Sequence, residues 1–346
     1  MFMSGRRNFS FVQTISLLVL VLISSGSCLR LTEAQIAANN RLVQLLPIDV
    51  DPAHPERRNF GSLTLISAFQ LESRDKRFGG LSGLSIGSDG KLYAISDRGY
   101  WLSATMSMDA NGALVDLSDW RIAPILTPAQ TPVQGEWRDA EALAVAHDGS
   151  FLVAFEGVHR IWRYSRPPNT FESTPIPMPI PPAMALAPSN GGLEALTVLA
   201  DNRLLAITET FENPDGTLKS WVIDRDQFTE LSYLPSKGFS VTDCASLDNG
   251  DIFVLERRYV PFGILSTKLK LLNASSLQAG AKLVGSELLG LEQPLAVENY
   301  EGIAVQQTSK GTTIFMVSDD NYSWFQQTLL LQFLLPHNNA VSKALP

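Results

Sequence analysis

The chain has 346 residues, 45% hydrophobic and 18% charged, with a formal net charge of −8. That composition excludes a disordered chain and leaves enough apolar mass for a large core. The acidic balance argues against nucleic acid as a partner, because phosphate-binding faces are basic.

Residues 1–28 read as a secretion signal. Arg6 and Arg7 form a short basic region, "ISLLVLVLI" (15–23) is an apolar stretch too short to span a bilayer, and "SSGSC" supplies small residues for cleavage. "GRRNF" also matches the twin-arginine pattern through Arg-Arg-x-Phe, so general secretion and twin-arginine export both stay open. Cys28 is a candidate for lipid attachment and hence membrane anchoring, although Ser25 stands where a larger aliphatic residue is usual. The mature protein is expected in the periplasm or outside the cell. Cleavage before Cys28 removes two basic residues and no acidic one, so 27 − 2 = 25 cations face 35 acids and the net charge becomes −10. Cys244 is then the one cysteine sure to remain, and no internal disulfide is expected. Residues 29–60 form a lead segment, within which "TEAQIAANNRLVQLL" (32–46) carries the chain's best amphipathic helix pattern.

From there the chain repeats itself. Five hairpin-like copies follow: "SGLSIGSDGKLYAISD" (82–97), "EALAVAHDGSFLVAFE" (141–156), "EALTVLADNRLLAITE" (194–209), "DCASLDNGDIFVLE" (243–256) and "EGIAVQQTSKGTTIFMVSD" (301–319), with starts 59, 53, 49 and 58 residues apart. A recurring period of this size is the signature of a repeat architecture. Each copy is an apolar run, a turn ("SDG", "HDG", "DN", "DNG" or "SKG") and a second apolar run, which reads as two strands and a tight turn. Weaker strands such as "KSWVID" and "FTELSYLP" lie between copies, giving about four per unit, the make-up of a propeller blade. The expected fold is therefore all-β: one propeller over 61–336 with five blades, or six if one blade has a degenerate hairpin, and a tail over 337–346. "QTLLLQFLLP" (327–336) supplies a third strand to the last blade, and "SLTLISAFQL" (62–71) is expected to supply the fourth and close the ring. The Pro-rich 167–182 reads as a surface connection or edge strand within the second blade.

In such a blade the first strand lines the channel and the second runs antiparallel to it, so the start of one and the end of the other meet at the same mouth. The acids that bracket each copy are then spatial neighbours: Glu194 with Glu209, Glu141 with Glu156, Asp243 with Glu256, Glu301 with Asp319, and Asp97 opposite Ser82. Nine carboxylates around one mouth repel one another unless a hard cation, retained protons or arginines neutralise them. Arg98, Arg138, Arg160, Arg257 and Arg258 stand close by in sequence. A purely structural ring, with acids capping turns and tying blades together, accounts for the same pattern. His159 follows Glu156 and could face the mouth, whereas His147 sits in a hairpin turn and is expected in solvent. "SDDNYSW" (318–324) reads equally as a substrate loop or a structured turn. Zinc spacing, a nucleophile elbow and phosphate-loop or dinucleotide fingerprints are absent from the sequence.

The strings "FGGLSGLSI", "DGKLYAISDRG", "RDAEALAVAHDGSFLVAFEG", "GGLEALTVLADNRLLAITE" and "NYEGIAV" with "SDDN" resemble the bacterial phytase-like family, also described by an esterase-like activity, over roughly 60–335. The resemblance implies hydrolysis of phosphoesters or related esters outside the cytoplasm, and carries acidic positions over to Asp97, Glu141, Glu156, Glu194, Glu209 and Glu301. Asp243 in the fourth copy and Ser82 in the first depart from the pattern. On this reading Glu141, Glu194 and Glu301, with Asp97 and Asp319, hold a divalent cation, expected to be Ca²⁺. Arg98 and Arg257 grip the substrate, a small-molecule ester or phosphoester, and Glu209 or Glu156 activates water. A non-catalytic binding or scaffold propeller is the alternative, since fold alone names no function.

Overall fold

Short Asx turns shape the inner hairpins of blades 1 to 4, and Thr308 Oγ1 accepts from Lys310 N–H in that of blade 5. Asp89 Oδ1 accepts from Lys91 N–H, Asp148 Oδ1 from Ser150 N–H, Asp201 Oδ1 from Arg203 N–H and Asn249 Oδ1 from Asp251 N–H. In these turns Gly90, Gly149, Asn202 and Gly250 take the left-handed backbone that glycine and asparagine tolerate best. Alternating Val, Ile, Leu, Phe and Ala on both sides of each turn then pair as antiparallel strands buried on both faces.

The computed structural model describes residues 42–260 and 265–337. They form five antiparallel sheets. Blade 1 runs through Leu81–Ile86, Leu92–Ser96, Tyr100–Met108 and Leu114–Pro124. Blade 2 comprises Ala140–Val145, Phe151–Phe155, Arg160–Tyr164 and the short edge strand Ile176–Met178. Blade 3 comprises Leu193–Val198, Leu204–Glu212, Leu218–Asp224 and Gln227–Tyr233, with Lys282–Leu283 added in parallel at its edge. Blade 4 comprises Ser240–Ser246, Asp251–Arg258, Ser266–Asn273 and Ser286–Glu292. Blade 5 is shared between the two ends of the chain: Asn299–Thr308, Gly311–Asp319 and Thr328–Pro336 are joined by Leu63–Ser73, onto which Val43–Pro47 pairs as an outer strand.

The fold is thus a five-bladed β-propeller with no α-helix among the described residues. The innermost strands of neighbouring blades pack against one another around the circle, blade 5 meeting blade 1. The expected closure by 62–71 is realised, and the Pro-rich connection is both a loop and an edge strand. The helical pattern over 32–46 is not realised where it can be seen, because Val43 to Leu46 lie in the outer strand of blade 5. There the unpaired edge of Leu63–Ser73 offers hydrogen bonds that outweigh a weak helical period. The secretion signal over 1–28 lies outside the described residues.

The core is five apolar layers, one between each pair of adjacent blades. Between blades 1 and 2, Trp101 is fully buried and packs against Phe151, Tyr164 and Phe171 at centroid distances of 5.2–5.9 Å. Side chains on the inner strands cross-link the blades: Ser85 Oγ donates to Leu143 O at 2.9 Å, and Thr242 Oγ1 to Tyr300 O at 3.0 Å. At the closing joint Gln332 Oε1 accepts from Leu114 N–H and Ser67 Oγ–H, and its Nε2 donates to Gly112 O.

A carboxylate ring at one mouth of the channel

Each inner hairpin carries a β-bulge at the same place. Pairing skips Ser82 in blade 1, Glu141 in blade 2, Glu194 in blade 3, Thr242 in blade 4 and Glu301 in blade 5. The extra residue leaves the alternation of the strand and is re-aimed, as bulged residues are. The five positions lie 59, 53, 48 and 59 residues apart along the sequence. The facing positions, one past the register pair of the second strand, are Asp97, Glu156, Glu209, Arg257 and Asp319.

This register corrects the fourth copy. Asp243 does not occupy the place of the ring glutamates; Thr242 does. Asp243 is fully buried, accepts from Ile303 N–H at 2.8 Å and from its own neighbour Cys244 N–H, and ties blade 4 to blade 5. Glu256 likewise turns away from the mouth and is buried against Tyr233 Oη, Ser236 N–H and Lys270 Nζ at 2.7–3.2 Å. The position that faces the ring there is Arg257. The hydroxyls Ser82 and Thr242 each donate to a carbonyl of the next blade, Ala140 O and Tyr300 O, whereas the long glutamates in the same places reach the mouth.

Seven acids therefore share the ring with one guanidinium. Arg257 Nη2 lies 3.2 Å from Glu209 Oε1 and 3.5 Å from Glu301 Oε1. Its charge is favoured by Glu301, Glu209, Glu194 and Asp319 against the desolvation that burial imposes, and the net effect raises its pKa. Burial is the first cause that pushes the acids up. Asp97, Glu156 and Glu301 rise to about 7 and Asp319 to about 8, while Glu141 and Glu194 go well above the carboxylate range. Mutual repulsion adds to this: Glu141 feels Glu194, Asp139 and Glu301, and Asp97 feels Asp319 and Asp139. Glu209 is raised by burial and held back by Arg257.

The acids are not equivalent. Glu156 is 1% exposed, and its Oε1 accepts from the N–H groups of both Gly191 and Gly192. A side chain at Gly191 would strike Thr210, and one at Gly192 would strike His159 and Glu156, so the two glycines permit this close approach. Asp319 Oδ1 accepts from Asn321 N–H at 2.6 Å, and Asn299 Nδ2 donates to Glu301 Oε1 at 2.7 Å. Asp97 Oδ1 is buried without a hydrogen-bond partner. Asp139, Glu141 and Glu156 bring one carboxylate oxygen each within 4.8 Å of one another. Asp139 was not singled out by the sequence reading, although "EWRDAE" places it two residues before Glu141. It is hidden because its counterparts in the other blades are Gly80, Gly192, Ser240 and Asn299.

Two of the neighbouring arginines leave the ring. Arg160 is buried among Phe155, Trp162 and Trp137 at 3.8–4.9 Å and donates to Val158 O and Trp137 O. Arg258 pairs with Glu292 at 3.1 Å. Arg98 is exposed beside Asp97, with its guanidinium 3.4 Å above the Tyr322 ring, and Arg138 is exposed and acts on Asp97 by charge. His159 Nε2–H donates to Pro188 O, 2.8 Å away, and its Nδ1 is buried with no partner. His147 is exposed in its hairpin turn, as expected, and its Nε2 lies 3.0 Å from Leu199 O, linking the turns of blades 2 and 3. "SDDNYSW" is a structured turn, with Asp320 accepting from Gly80 N–H, Tyr322 N–H and Thr328 Oγ1–H.

An all-oxygen donor set, a three-acid cluster and an unpartnered buried Asp97 oxygen fit a hard cation. Residues 76–322 match the family described as "Phytase-like: Esterase-like activity of phytase". No curated protein sequence matches the chain. Among solved structures, the gluconolactonase XC5397 of Xanthomonas campestris is similar at 11% identity and a TM-score of 0.42, covering 88% of this chain and 94% of that one. The PQQ-bound aldose sugar dehydrogenase of Streptomyces coelicolor is similar at 12% identity and a TM-score of 0.41, covering 74% and 94%. Neither is similar enough to bear on the chemistry of the ring.

Proposed function

Because the chain belongs to the phytase-like family, whose description names an esterase-like activity, we propose that it hydrolyses phosphoesters or related esters at the carboxylate-lined mouth, with a divalent cation, Ca²⁺ first. The observation that carries this reading is the grouping of Asp139, Glu141 and Glu156 within 4.8 Å inside a ring of acids that burial disfavours as bare anions. Those three residues would hold the cation, with Asp97, Glu194, Glu301 and Asp319 adding to its field. When bound, it would polarise the phosphoryl or carbonyl oxygen of the substrate.

The remaining roles belong to the chain's own side chains. Glu209 is a general base: its carboxylate is positioned by Arg257 at 3.2 Å and made more basic than an ordinary glutamate by burial, so it can take the proton of an attacking water. Glu156 is a weaker candidate for that role, since its Oε1 is already spent on two backbone N–H groups. Arg257 faces the same space, and its free donor capacity can steady the oxygen on which charge develops. Arg98, at the rim on Tyr322, can receive an anionic part of the substrate. The proposed setting is extracytoplasmic, by either export route, with Cys28 as the site of any lipid anchor.

A purely structural propeller is the second reading. It is favoured by Asp243, Glu256 and Glu156, each of which satisfies a neighbouring blade's backbone or side chains. The test is thermal unfolding of the mature chain in chelator and in Ca²⁺, followed by an ester screen. A rise in midpoint that vanishes in Glu141→Gln, together with turnover of a phosphate or carboxyl ester, supports the hydrolase. A protein indifferent to every divalent ion and inert to every ester overturns it.

A further inference from the structure

All the strongly exposed aromatic side chains among the described residues stand at one end of the propeller. They are Trp137, Tyr259, Trp324 and Phe325. Trp137 lies in the connection that delivers blade 2's inner strand, Tyr259 directly follows blade 4's second strand, and Trp324 and Phe325 lie between the second and third strands of blade 5. Strand direction puts all three segments at the mouth that holds the carboxylate ring. The hairpin turns at the opposite end carry none.

The blade 5 segment is built to display its pair. Its base is fixed: Asp320 takes three hydrogen bonds, Ser323 N–H donates to Asp320 O at 2.7 Å, and Arg98 covers Tyr322. Above that base Trp324 is 95% and Phe325 69% exposed, packed edge to face at 5.7 Å. A loop tied down this firmly has not failed to bury its aromatics; it holds a small apolar platform in water. Trp324 is five residues from the ring acid Asp319, so the platform is at most roughly 18 Å of chain away from it. The ring beside it sets one guanidinium among its acids, a setting that gives a polyanion little to pair with and admits a neutral group.

We infer that the Trp324–Phe325 platform binds an uncharged, apolar acyl or aryl portion of the substrate, so that the preferred substrates are carboxyl esters with an apolar arm rather than polyphosphorylated compounds. This rests on the esterase reading for its chemistry, but not for its binding step. Trp324 and Phe325 are specificity determinants: they touch the arm and leave the reacting bond to the ring.

The experiment compares the mature full-length protein with a Trp324→Ala, Phe325→Ala double variant in the presence of Ca²⁺. Binding of the hydrolysis-resistant amides N-(4-nitrophenyl)hexanamide and N-(4-nitrophenyl)acetamide is measured by calorimetry, and the kcat/KM ratio of 4-nitrophenyl hexanoate over acetate by absorbance. The expected result is about tenfold tighter binding of the hexanamide, with that preference lost in the double variant at an unchanged unfolding midpoint. The hexanoate-to-acetate ratio should fall by about the same factor. A preference that survives the double substitution, or no preference in the parent, overturns the inference, as does aromatic-dependent binding to phosphatidylcholine vesicles with no discrimination between the amides. Amide preference without turnover of any ester would sink the esterase reading and leave the platform's ligand class standing.

Discussion

Arg257 stands in the ring where the matching position of every other blade is acidic, and its Nη2 meets Glu209 at 3.2 Å and Glu301 at 3.5 Å. One guanidinium thus neutralises the side of the ring formed by blades 3 and 5. The side formed by blades 1 and 2, with Asp97, Asp139, Glu141 and Glu156, has no such partner inside it and is where a cation is needed.

Replacing Arg257 by Gln should therefore destabilise the fold by roughly 3 kcal/mol at pH 8, since breaking one partner of a largely buried pair leaves charge uncompensated. The loss should be smaller at pH 5, where Glu301 is protonated. Urea denaturation at both values measures it. Equal stability at pH 8 would show that Arg257 is not the ring's counter-ion.

The ring also sets a pH dependence. Asp97, Glu156 and Glu301 titrate near 7 and Asp319 near 8 in the folded protein, against about 4 in an unfolded chain. The folded state holds these protons more tightly, so their contribution is fully present below pH 4 and is lost as pH rises through 7 to 8. In chelator the unfolding midpoint should fall between pH 5 and pH 8.5. Saturating Ca²⁺ should flatten the fall, because a cation replaces the protons. Calorimetric scans across that range would refute the idea if the chelated protein were most stable at pH 8.5.

Glu209→Gln should reduce kcat by at least about a hundredfold, the lower range for removing a general base. The Ca²⁺-dependent midpoint should be retained, because Glu209 lies on the arginine side of the ring. Full turnover in this variant would remove Glu209 from the mechanism and direct attention to Glu156.

Asp243→Ala should behave in the opposite way. It orphans Ile303 N–H in the joint between blades 4 and 5 and should cost about 1–3 kcal/mol. The size of the Ca²⁺ shift should stay as in the parent protein. A lost shift would return Asp243 to the ring and overturn the register given by the bulges.

Much of this architecture was legible in the sequence, for local reasons. Tight turns of Asp, Asn, Ser and Gly between short apolar runs fix each hairpin without help from the rest of the chain, and their recurrence about every fifty residues sets the blade count. The pairing of 62–71 with 327–336 followed from a count of strands: the last blade lacked one and the first hairpin had one to spare. The bracketing acids were legible for the same reason, since the ends of a hairpin must meet.

What only the tertiary structure decided turns on one residue per blade. A bulge inserts a residue that no periodicity reveals, and it moves the side chain at that point to another face. In blade 4 the sequence reading took Asp243 and Glu256 as the bracketing pair, and the structure puts Thr242 and Arg257 there instead. That single step turns a supposed pair of ring acids into buried ties and leaves a hydroxyl and a counter-ion in their places. Asp139 was missed for a different reason: it joins Glu141 and Glu156 within the hairpin of blade 2, but no other blade repeats an acid at its place, so the repeat did not point to it. The repeat and its turns are encoded within about fifteen residues at a time, whereas the charge balance of the mouth exists only between blades.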